Sequence, residues 1–213
     1  GIAGVPVTLL GTKTCDAAPV TQTVTSGANG DFAFTNVEPG TYKVQFGTPA
    51  GFVPSSPGKG TDENLDSDFG PMGLSDQFVV LIGDTLKWLD AGFYQPTRIG
   101  NFVWDDTNGN GIQDNGEPGI PGVNVELAGT QGDGLVISAT TTTDANGNYA
   151  FGSQTPGSTQ LAPGSYRISF VLPAGGYVRT NANDPDATDL TDSDADLGTG
   201  FSDFEILVSG ENN

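Results

Sequence analysis

The sequence contains no histidine, and this absence excludes several kinds of active site. It removes Ser-His-Asp and Cys-His catalysis and any histidine-ligated zinc. There is a single cysteine, Cys15, which cannot form an internal disulfide. We predict that Cys15 is a loop thiol, with a cross-chain disulfide as the alternative. The sequence therefore predicts a protein that is not an enzyme and that relies on something other than internal disulfides for stability.

Basic residues are also scarce, with 7 Lys and Arg against 26 Asp and Glu, for a formal net charge of -19. Nucleic acid is not expected as a partner, because phosphate binding requires clustered Lys and Arg. An anionic membrane surface is disfavoured for the same reason. No apolar run approaches the roughly 20 residues that span a bilayer, so membrane insertion is not expected. Because the like charges repel one another, folding is expected to depend on divalent cations that bind the folded form.

What the sequence does contain is a segment, 106–117, that fits the calcium-loop pattern D-x-[DN]-x-[DN]-G-x5-E at every required position. Calcium takes about six to eight oxygen ligands, and this spacing folds a short loop around one ion. Gly111 allows the sharp turn at the sixth position, where a Cβ would clash. The alternative is a solvated Asn-Gly turn with accidental carboxylates. The predicted Ca²⁺ ligands are the side chains of Asp106, Asn108, Asn110, Asp114 and Glu117 and the carbonyl of Ile112.

A second acidic segment occurs in both halves of the chain. Carboxylates at alternating positions of an extended chain fall on one side, where they repel unless a cation binds. We predict that this segment holds one or two further Ca²⁺ ions beside the 106–117 loop. The alternatives are a solvated acidic loop and an acid pair for glycoside hydrolysis, which would need a set of pocket aromatics that is not evident. The predicted ligands are Asp62, Asp66 and Asp68 in the first half and Asp189, Asp192 and Asp194 in the second, where Asp184, Asp186 and Asp196 are their neighbours.

Internal similarity shows two copies of one domain. Neither copy is complete: the first has no counterpart of 99–118, and the second has none of 86–94. The predicted domains are 1–96, a β-sandwich without its first strand and calcium loop, and 97–213, a β-sandwich with that loop but without its last strand. We expect either a window on a longer array or a subunit whose missing strand a neighbouring chain supplies. The matching segments are 1–9 with 119–127, 28–34 with 145–151, 39–44 with 163–168, 49–51 with 173–175, and 65–68 with 191–194.

The composition, with 32 Gly and 14 Pro between scattered aromatic and β-branched residues, predicts an all-β protein rich in turns. No segment shows helical periodicity with a cap. In the second copy Tyr166, Ile168 and Phe170 alternate with polar residues, which predicts a strand with one buried face. Trp88 and Trp104 are predicted to pack in a core or between repeats. The predicted strands are 99–104, 123–127, 135–143, 148–151, 165–171 and 201–208, with 85–94 as the last strand of the first copy.

These motifs resemble the B-repeats of the bacterial serine-aspartate repeat surface proteins, which are relatives of the collagen-adhesin B-type domain. The resemblance covers essentially the whole chain, because the motifs recur in order. It implies tandem prealbumin-like, Ig-like Greek-key β-sandwiches with calcium-binding loops, and it implies no catalysis. The segments that carry it are 99–104 running into the calcium loop, 119–123, 144–151, 163–166, 192–194 and the closing 90–94.

One departure from some relatives concerns the internal Lys–Asn or Lys–Asp isopeptide bond. The second copy contains no lysine, so calcium must supply its stiffness. The predicted function is a calcium-stabilised stalk or spacer of an extracellular, cell-surface bacterial adhesin. Its predicted partners are neighbouring repeats of the same or another chain and a host or matrix protein. The alternatives are a self-assembling extracellular filament joined by strand complementation between chains, and a ligand- or carbohydrate-binding accessory module.

Overall fold

The computed structural model describes residues 1–62, 64–70, 72–152, 160–182 and 191–211. The chain divides into two compact units, Gly1–Tyr94 and Gln95–Asn213. The described residues contain no helix, and so none that could cross a membrane. All of their named strands pair in antiparallel sheets, which confirms the predicted all-β class.

The first unit is built on a four-stranded sheet in the order β2-β1-β3-β5. Apolar side chains alternate along its central strands, so Val7 and Leu9 of β1 face the same core as Tyr42 and Val44 of β3. A separate two-stranded sheet pairs β4 with β6. The strands are β1 (Pro6–Lys13), β2 (Pro19–Thr25), β3 (Gly40–Phe46), β4 (Val53–Pro54), β5 (Phe78–Val80) and β6 (Phe93–Tyr94).

The second unit repeats this topology with β7 (Asn124–Gln131), β8 (Val136–Thr142), β9 (Gly164–Phe170) and β10 (Glu205–Leu207). Its four-stranded sheet has the order β8-β7-β9-β10. Leu127 of β7 lies opposite Ile168 of β9, and both side chains are buried in the core. Tyr166 is buried and Phe170 packs against the same core, which confirms the predicted buried face of this strand.

Several predicted strands are shorter than their sequence patterns indicated. Residues 99–104 make only isolated bridges, from Ile99 to Phe151, from Phe102 to Asn148 and from Trp104 to Gly119. The first two bridges keep one antiparallel register with 148–151, and the third joins a different segment at Gly119. The other shortened strands are 85–94, reduced to β6; 201–208, reduced to β10 with a bridge at 201; and 148–151, reduced to bridges.

At equivalent positions in the two units, a buried hydroxyl group links two backbone segments. Thr143 Oγ1 accepts the N–H of Val123 at 2.9 Å and donates to the carbonyl of Ile120 at 2.7 Å. Ser26 occupies the equivalent position in the first unit and bonds the N–H of Val5 at 2.9 Å. In the second unit the Thr143 hydroxyl therefore provides the hydrogen-bond partner of two backbone groups just before β7, the N–H of Val123 and the carbonyl of Ile120.

Replacing Thr143 by valine should destabilise the second unit by about 1–3 kcal/mol, because the buried N–H of Val123 loses its acceptor. The matched control is Thr143→Ser, which keeps the hydroxyl and should be clearly more stable than the valine variant. The measurement is urea unfolding followed by the fluorescence of Trp104 in a Trp88→Phe background, which isolates the second unit. Equal stability of the valine and serine variants would contradict this role.

Candidate metal centre

The predicted calcium loop folds around the carboxylate of Asp106. Its Oδ1 accepts the N–H groups of Gly109 at 2.7 Å and of Asn110 at 3.2 Å. Its Oδ2 accepts the N–H of Gly111 at 2.8 Å and the Thr180 hydroxyl at 2.5 Å. Burial by itself would raise the pKa of Asp106, but these hydrogen bonds outweigh burial and lower it. Asp106 is therefore an anion at neutral pH, held in place at the start of the loop.

The remaining side chains predicted as ligands in the loop converge around Asp114. The amide nitrogens of Asn108 and Asn110 donate to Asp114 Oδ2 at 2.7 Å and 3.1 Å. Glu117 accepts the Thr107 N–H at 2.9 Å through one oxygen and the Asp114 N–H at 3.1 Å through the other. The amide oxygens of Asn108 and Asn110 accept the N–H groups of Asn110 and Ile112, each at 2.9 Å, and each oxygen keeps a second lone pair for a cation. The donor set then consists of oxygens only, which fits a hard cation such as calcium.

The middle of the loop pairs with the acidic segment that follows residue 190. Ile112 forms an antiparallel bridge with Asp192, and backbone hydrogen bonds of 2.6 Å and 3.1 Å flank this bridge. The pairing places Ile112, whose carbonyl is a predicted ligand, directly beside Asp192, whose carboxylate is another predicted ligand. The loop and the acidic segment therefore form one continuous structure at the edge of the second unit.

Asp192 differs from the other acidic residues of this segment in its burial. It is only 8% exposed, and its Oδ1 is buried without a hydrogen-bond partner. A buried anion without donors is costly, and a bound cation is one way to remove that cost. Asp194, by contrast, is exposed. Burial raises the pKa of Tyr149, and the negative charge of Asp194 raises it further.

Asp196 belongs to a turn of its own. It accepts the hydroxyl of Thr199 at 2.7 Å and the N–H of the same residue at 2.8 Å, and these bonds lower the pKa of Asp196. This carboxylate is therefore already satisfied by local donors. Three acidic residues named from the sequence lie outside the described residues: Asp184, Asp186 and the predicted ligand Asp189.

In the first unit the predicted ligands are spread over a longer stretch. Asp62 Oδ1 accepts the side-chain amide of Asn64 at 2.9 Å and the backbone N–H of Asn64 at 3.1 Å. These hydrogen bonds lower the pKa of Asp62. Asp68 instead accepts the N–H of Asp90 at 2.6 Å. Burial raises the pKa of Asp90, and the charge of Asp66 raises it further. The structure thus brings Asp66 and Asp68 to Asp90, which the sequence had not marked as a candidate ligand.

Across the described ranges, no three side chains of Asp, Glu or Cys come together in an arrangement that could hold a metal ion on their own. The 106–117 loop needs its two asparagine oxygens and the Ile112 carbonyl to complete a donor set. Cys15 is exposed and free in the turn between β1 and β2. A metal at the loop therefore depends on neutral oxygen donors as much as on carboxylates.

Sequence reasoning missed the segment that braces the loop from outside. The Thr180 hydroxyl bonds Asp106, and the carbonyl of Asn181 lies 2.6 Å from where a Cβ on Gly111 would stand. One signal was available: these residues match Ser55 and Ser56 of the first copy and lie shortly before the acidic segment. Nothing in the local sequence predicts a contact between residues 74 positions apart.

The two units, with equivalent strand orders and duplicated buried hydroxyls, define a class of tandem structural β-sandwich domains. The chain belongs to the SdrD B-like domain family, whose model matches residues 1–93 and 97–213. This confirms the resemblance seen in the sequence, and it agrees with a structural rather than an enzymatic protein.

The curated relatives are much longer than this chain. It is 40% identical over 214 residues to serine-aspartate repeat-containing protein D of Staphylococcus aureus strain Newman, covering 94% of this chain and 15% of that protein. It is 41% identical over 184 residues to serine-aspartate repeat-containing protein F of Staphylococcus epidermidis, covering 86% of this chain and 10% of that protein. The match therefore concerns one region of each relative.

Similar solved structures are distant. The Bacillus anthracis TIE protein aligns with a TM-score of 0.34 and 17% identity over 99% of this chain and 29% of that one. The minor pilin GBS52 of Streptococcus agalactiae aligns with a TM-score of 0.28 and 12% identity over 100% of this chain and 80% of that one.

Proposed function

We propose that this chain is a calcium-stabilised structural module that acts as a stalk or spacer of an extracellular bacterial surface adhesin. Its family membership and its serine-aspartate repeat relatives support the role of a surface adhesin module. The proposal that calcium stabilises the module rests on the geometry of the 106–117 loop, which begins at an ionised Asp106. In this loop the side-chain amides of Asn108 and Asn110 both lie within 3.1 Å of the Asp114 carboxylate. Partners on this view are neighbouring repeats and a host or matrix protein.

The mechanism is electrostatic cross-linking. Backbone pairing at Ile112 and Asp192 holds two acidic segments side by side. Two unit charges about 4 Å apart interact with roughly 1 kcal/mol in water and several times more near a protein surface, so uncompensated carboxylates here oppose folding. A divalent cation converts this repulsion into attraction and binds only the folded arrangement. Calcium would thereby stiffen the loop against the edge of the sandwich.

The residues that would hold the first ion are Asp106, Asn108, Asn110, Asp114 and Glu117, with the carbonyl of Ile112. The buried Oδ1 of Asp192 would bind a second ion in the acidic segment, together with Asp194; the third predicted ligand, Asp189, lies outside the described residues. In the first unit the equivalent set is Asp62, Asp66 and Asp68, and Asp90 is the residue that the structure adds to it. When bound, calcium supplies charge neutralisation and rigidity, and it takes part in no chemical step.

The test is native mass spectrometry of the full chain in millimolar calcium. Asp106→Ala combined with Glu117→Ala should remove one bound ion. The matched control is Glu126→Ala with Asp133→Ala, which removes the same two charges from β7 and from the turn that follows it, and it should leave the ion count unchanged. The milder pair Asp106→Asn with Glu117→Gln keeps the shape of both side chains and should also remove one bound ion, which checks that the loss of the ion is not caused by unfolding. An ion count that stays unchanged in both the alanine pair and the Asp106→Asn, Glu117→Gln pair would reject the assignment.

A further inference from the structure

The sequence contains five Asn-Gly pairs, and the structure surrounds one of them differently from the other four. In such a pair the backbone nitrogen of the glycine can attack the side-chain amide of the asparagine, because glycine has no Cβ to hinder the approach. A hydrogen bond that holds the glycine N–H opposes this attack, since it must be broken first. The pairs begin at Asn29, Asn108, Asn110, Asn115 and Asn146.

Two of the pairs lie near the start of the 106–117 loop and are held at both reacting groups. The N–H groups of Gly109 and Gly111 donate to the Asp106 carboxylate at 2.7 Å and 2.8 Å. The side-chain amides of the asparagines that precede these glycines donate to Asp114 at 2.7 Å and 3.1 Å. Either asparagine must therefore lose hydrogen bonds on the side chain and on the backbone before it can react.

Two further pairs occupy equivalent turns, one in each unit. The Gly30 N–H donates to the carbonyl of Gly27 at 3.0 Å, and the Gly147 N–H donates to the carbonyl of Asp144 at 3.1 Å. An added Cβ at Gly30 or at Gly147 would stand 2.9 Å or 2.5 Å, respectively, from a backbone atom of another segment. These turns are closed by hydrogen bonds and tightly packed, which leaves the glycine nitrogens little freedom to move.

The remaining pair, Asn115-Gly116, lies at the exposed centre of the turn from Asp114 to Glu117. The Glu117 N–H closes this turn on the Asp114 carbonyl at 3.2 Å. Among the residues that the structure describes, none forms a hydrogen bond with the Gly116 N–H or with the Asn115 side chain. Gly116 has φ 101°, and an added Cβ there would meet no atom within 4 Å. Both reacting groups of this pair are therefore unrestrained.

We propose that Asn115 is a modification site, at which the side-chain amide is converted spontaneously to a carboxylate through attack by the Gly116 nitrogen. This nitrogen loses its proton to solvent and bonds to Cγ of Asn115, and the Cγ–Nδ2 bond breaks as ammonia leaves with a proton taken from water. Water then opens the cyclic imide at either of its carbonyls, which yields aspartate or isoaspartate. The net reaction consumes one water and releases one ammonia, without oxidation or reduction.

The product would lie between two predicted ligands of the calcium loop, and this consequence rests on the proposed function. Glu117 Oε2 accepts the Asp114 N–H at 3.1 Å, so the turn places these two side chains relative to each other. Isoaspartate carries the main chain through its side-chain carbon and lengthens the backbone between them by one methylene. The loop of an aged chain should therefore bind calcium about tenfold or more weakly, which is the loss usual when groups that orient metal ligands are disturbed.

The test follows the full chain at neutral pH in millimolar calcium for several weeks, with peptide mapping by mass spectrometry at intervals. Deamidation at Asn115 should be at least about fivefold faster than at any of the other four asparagines, because each of those pairs must first break an ordinary hydrogen bond. Labelling with an isoaspartate-specific methyltransferase should mark the same peptide. Asn115→Gln should abolish the product there, since glutamine would have to close a larger ring, and should leave the other four rates unchanged.

Two controls separate the effect of the fold from that of the dipeptide. In concentrated urea the five pairs should react at similar rates, because the hydrogen bonds that distinguish them are lost. In the folded chain Asp106→Ala frees the N–H groups of Gly109 and Gly111, and it should accelerate deamidation of the asparagines before them by about fivefold. The rate at Asn146, in the same unit, should stay unchanged and so shows that this unit is still folded.

The proposal is overturned if Asn115 reacts no faster than the other four asparagines in the folded chain, or if it keeps the same lead in urea. Native mass spectrometry of fresh and aged chain reads the calcium consequence separately. Loss of one ion on ageing supports the weakened loop, and an unchanged count in the fully modified chain refutes it. If the fresh chain binds no more ions than the variant with Asp106→Ala and Glu117→Ala, the calcium proposal fails and the modification site stands.

Discussion

In about 10 mM calcium the second unit should melt several degrees higher than in EDTA. Extracellular calcium modules bind with dissociation constants of roughly 10⁻⁴–10⁻³ M, so each ion should stabilise the folded state by about 1.4–2.7 kcal/mol at this concentration. For a domain of this size, 1 kcal/mol shifts the melting temperature by about 4 °C or more. The measurement is thermal unfolding of the full chain followed by Trp104 fluorescence in a Trp88→Phe background, and EDTA should also raise protease sensitivity.

Charge screening must be separated from specific binding, because a chain with net charge -19 is stabilised by any salt. Sodium chloride at equal ionic strength should recover only a small part of the calcium effect. Magnesium should also recover little, because it demands a tight octahedral site and releases its waters reluctantly. A melting temperature that is the same in EDTA and in calcium would refute the proposed role of the ion.

Gly111→Ala should be among the most damaging single substitutions in the second unit. Gly111 has φ 84°, and an added Cβ would stand 2.6 Å from the carbonyl oxygen of Asn181. The left-handed conformation alone costs an L-residue about 1–2 kcal/mol, and the clash forces the 180–181 segment away from the loop. We expect a loss of about 3 kcal/mol or more, together with loss of the calcium binding that we propose for the loop.

The matched control is Gly109→Ala in the same loop. Gly109 has φ 73°, but an added Cβ there meets no atom within 4 Å. This variant should incur only the conformational cost of about 1–2 kcal/mol. Urea unfolding and calcium titration of both variants give the comparison. If the two alanine variants lose the same stability, the contact with Asn181 does not brace the loop.

The parts of the fold that were predictable from sequence are those that depend on local pattern. The alternation around Tyr166 and Ile168 specifies one buried face, because side chains of a strand point to alternate sides. The duplicated motifs predicted two domains with equivalent strands, and the structure shows the same sheet order in both units. The loop at 106–117 was recognisable because its candidate ligands lie within twelve residues.

What the sequence could not supply were contacts between distant segments. The hydrogen bond from Thr180 to Asp106 and the bridge from Ile112 to Asp192 form only when the sandwich has closed. Strand lengths were overpredicted for a related reason: residues 99–104 follow a strand pattern, but their pairing is limited to isolated bridges to 148–151 and to Gly119. Pattern predicts which side chains turn inward, whereas pairing depends on which neighbours the fold brings within reach.

The bridge between Ile112 and Asp192 has a consequence for how the protein responds to its surroundings. This pairing joins the two proposed ion sites, so disorder in one would remove the geometry of the other. We therefore expect steep, cooperative calcium titrations rather than two separate binding steps. Such a module would change from pliable to stiff over a narrow range of extracellular calcium concentration.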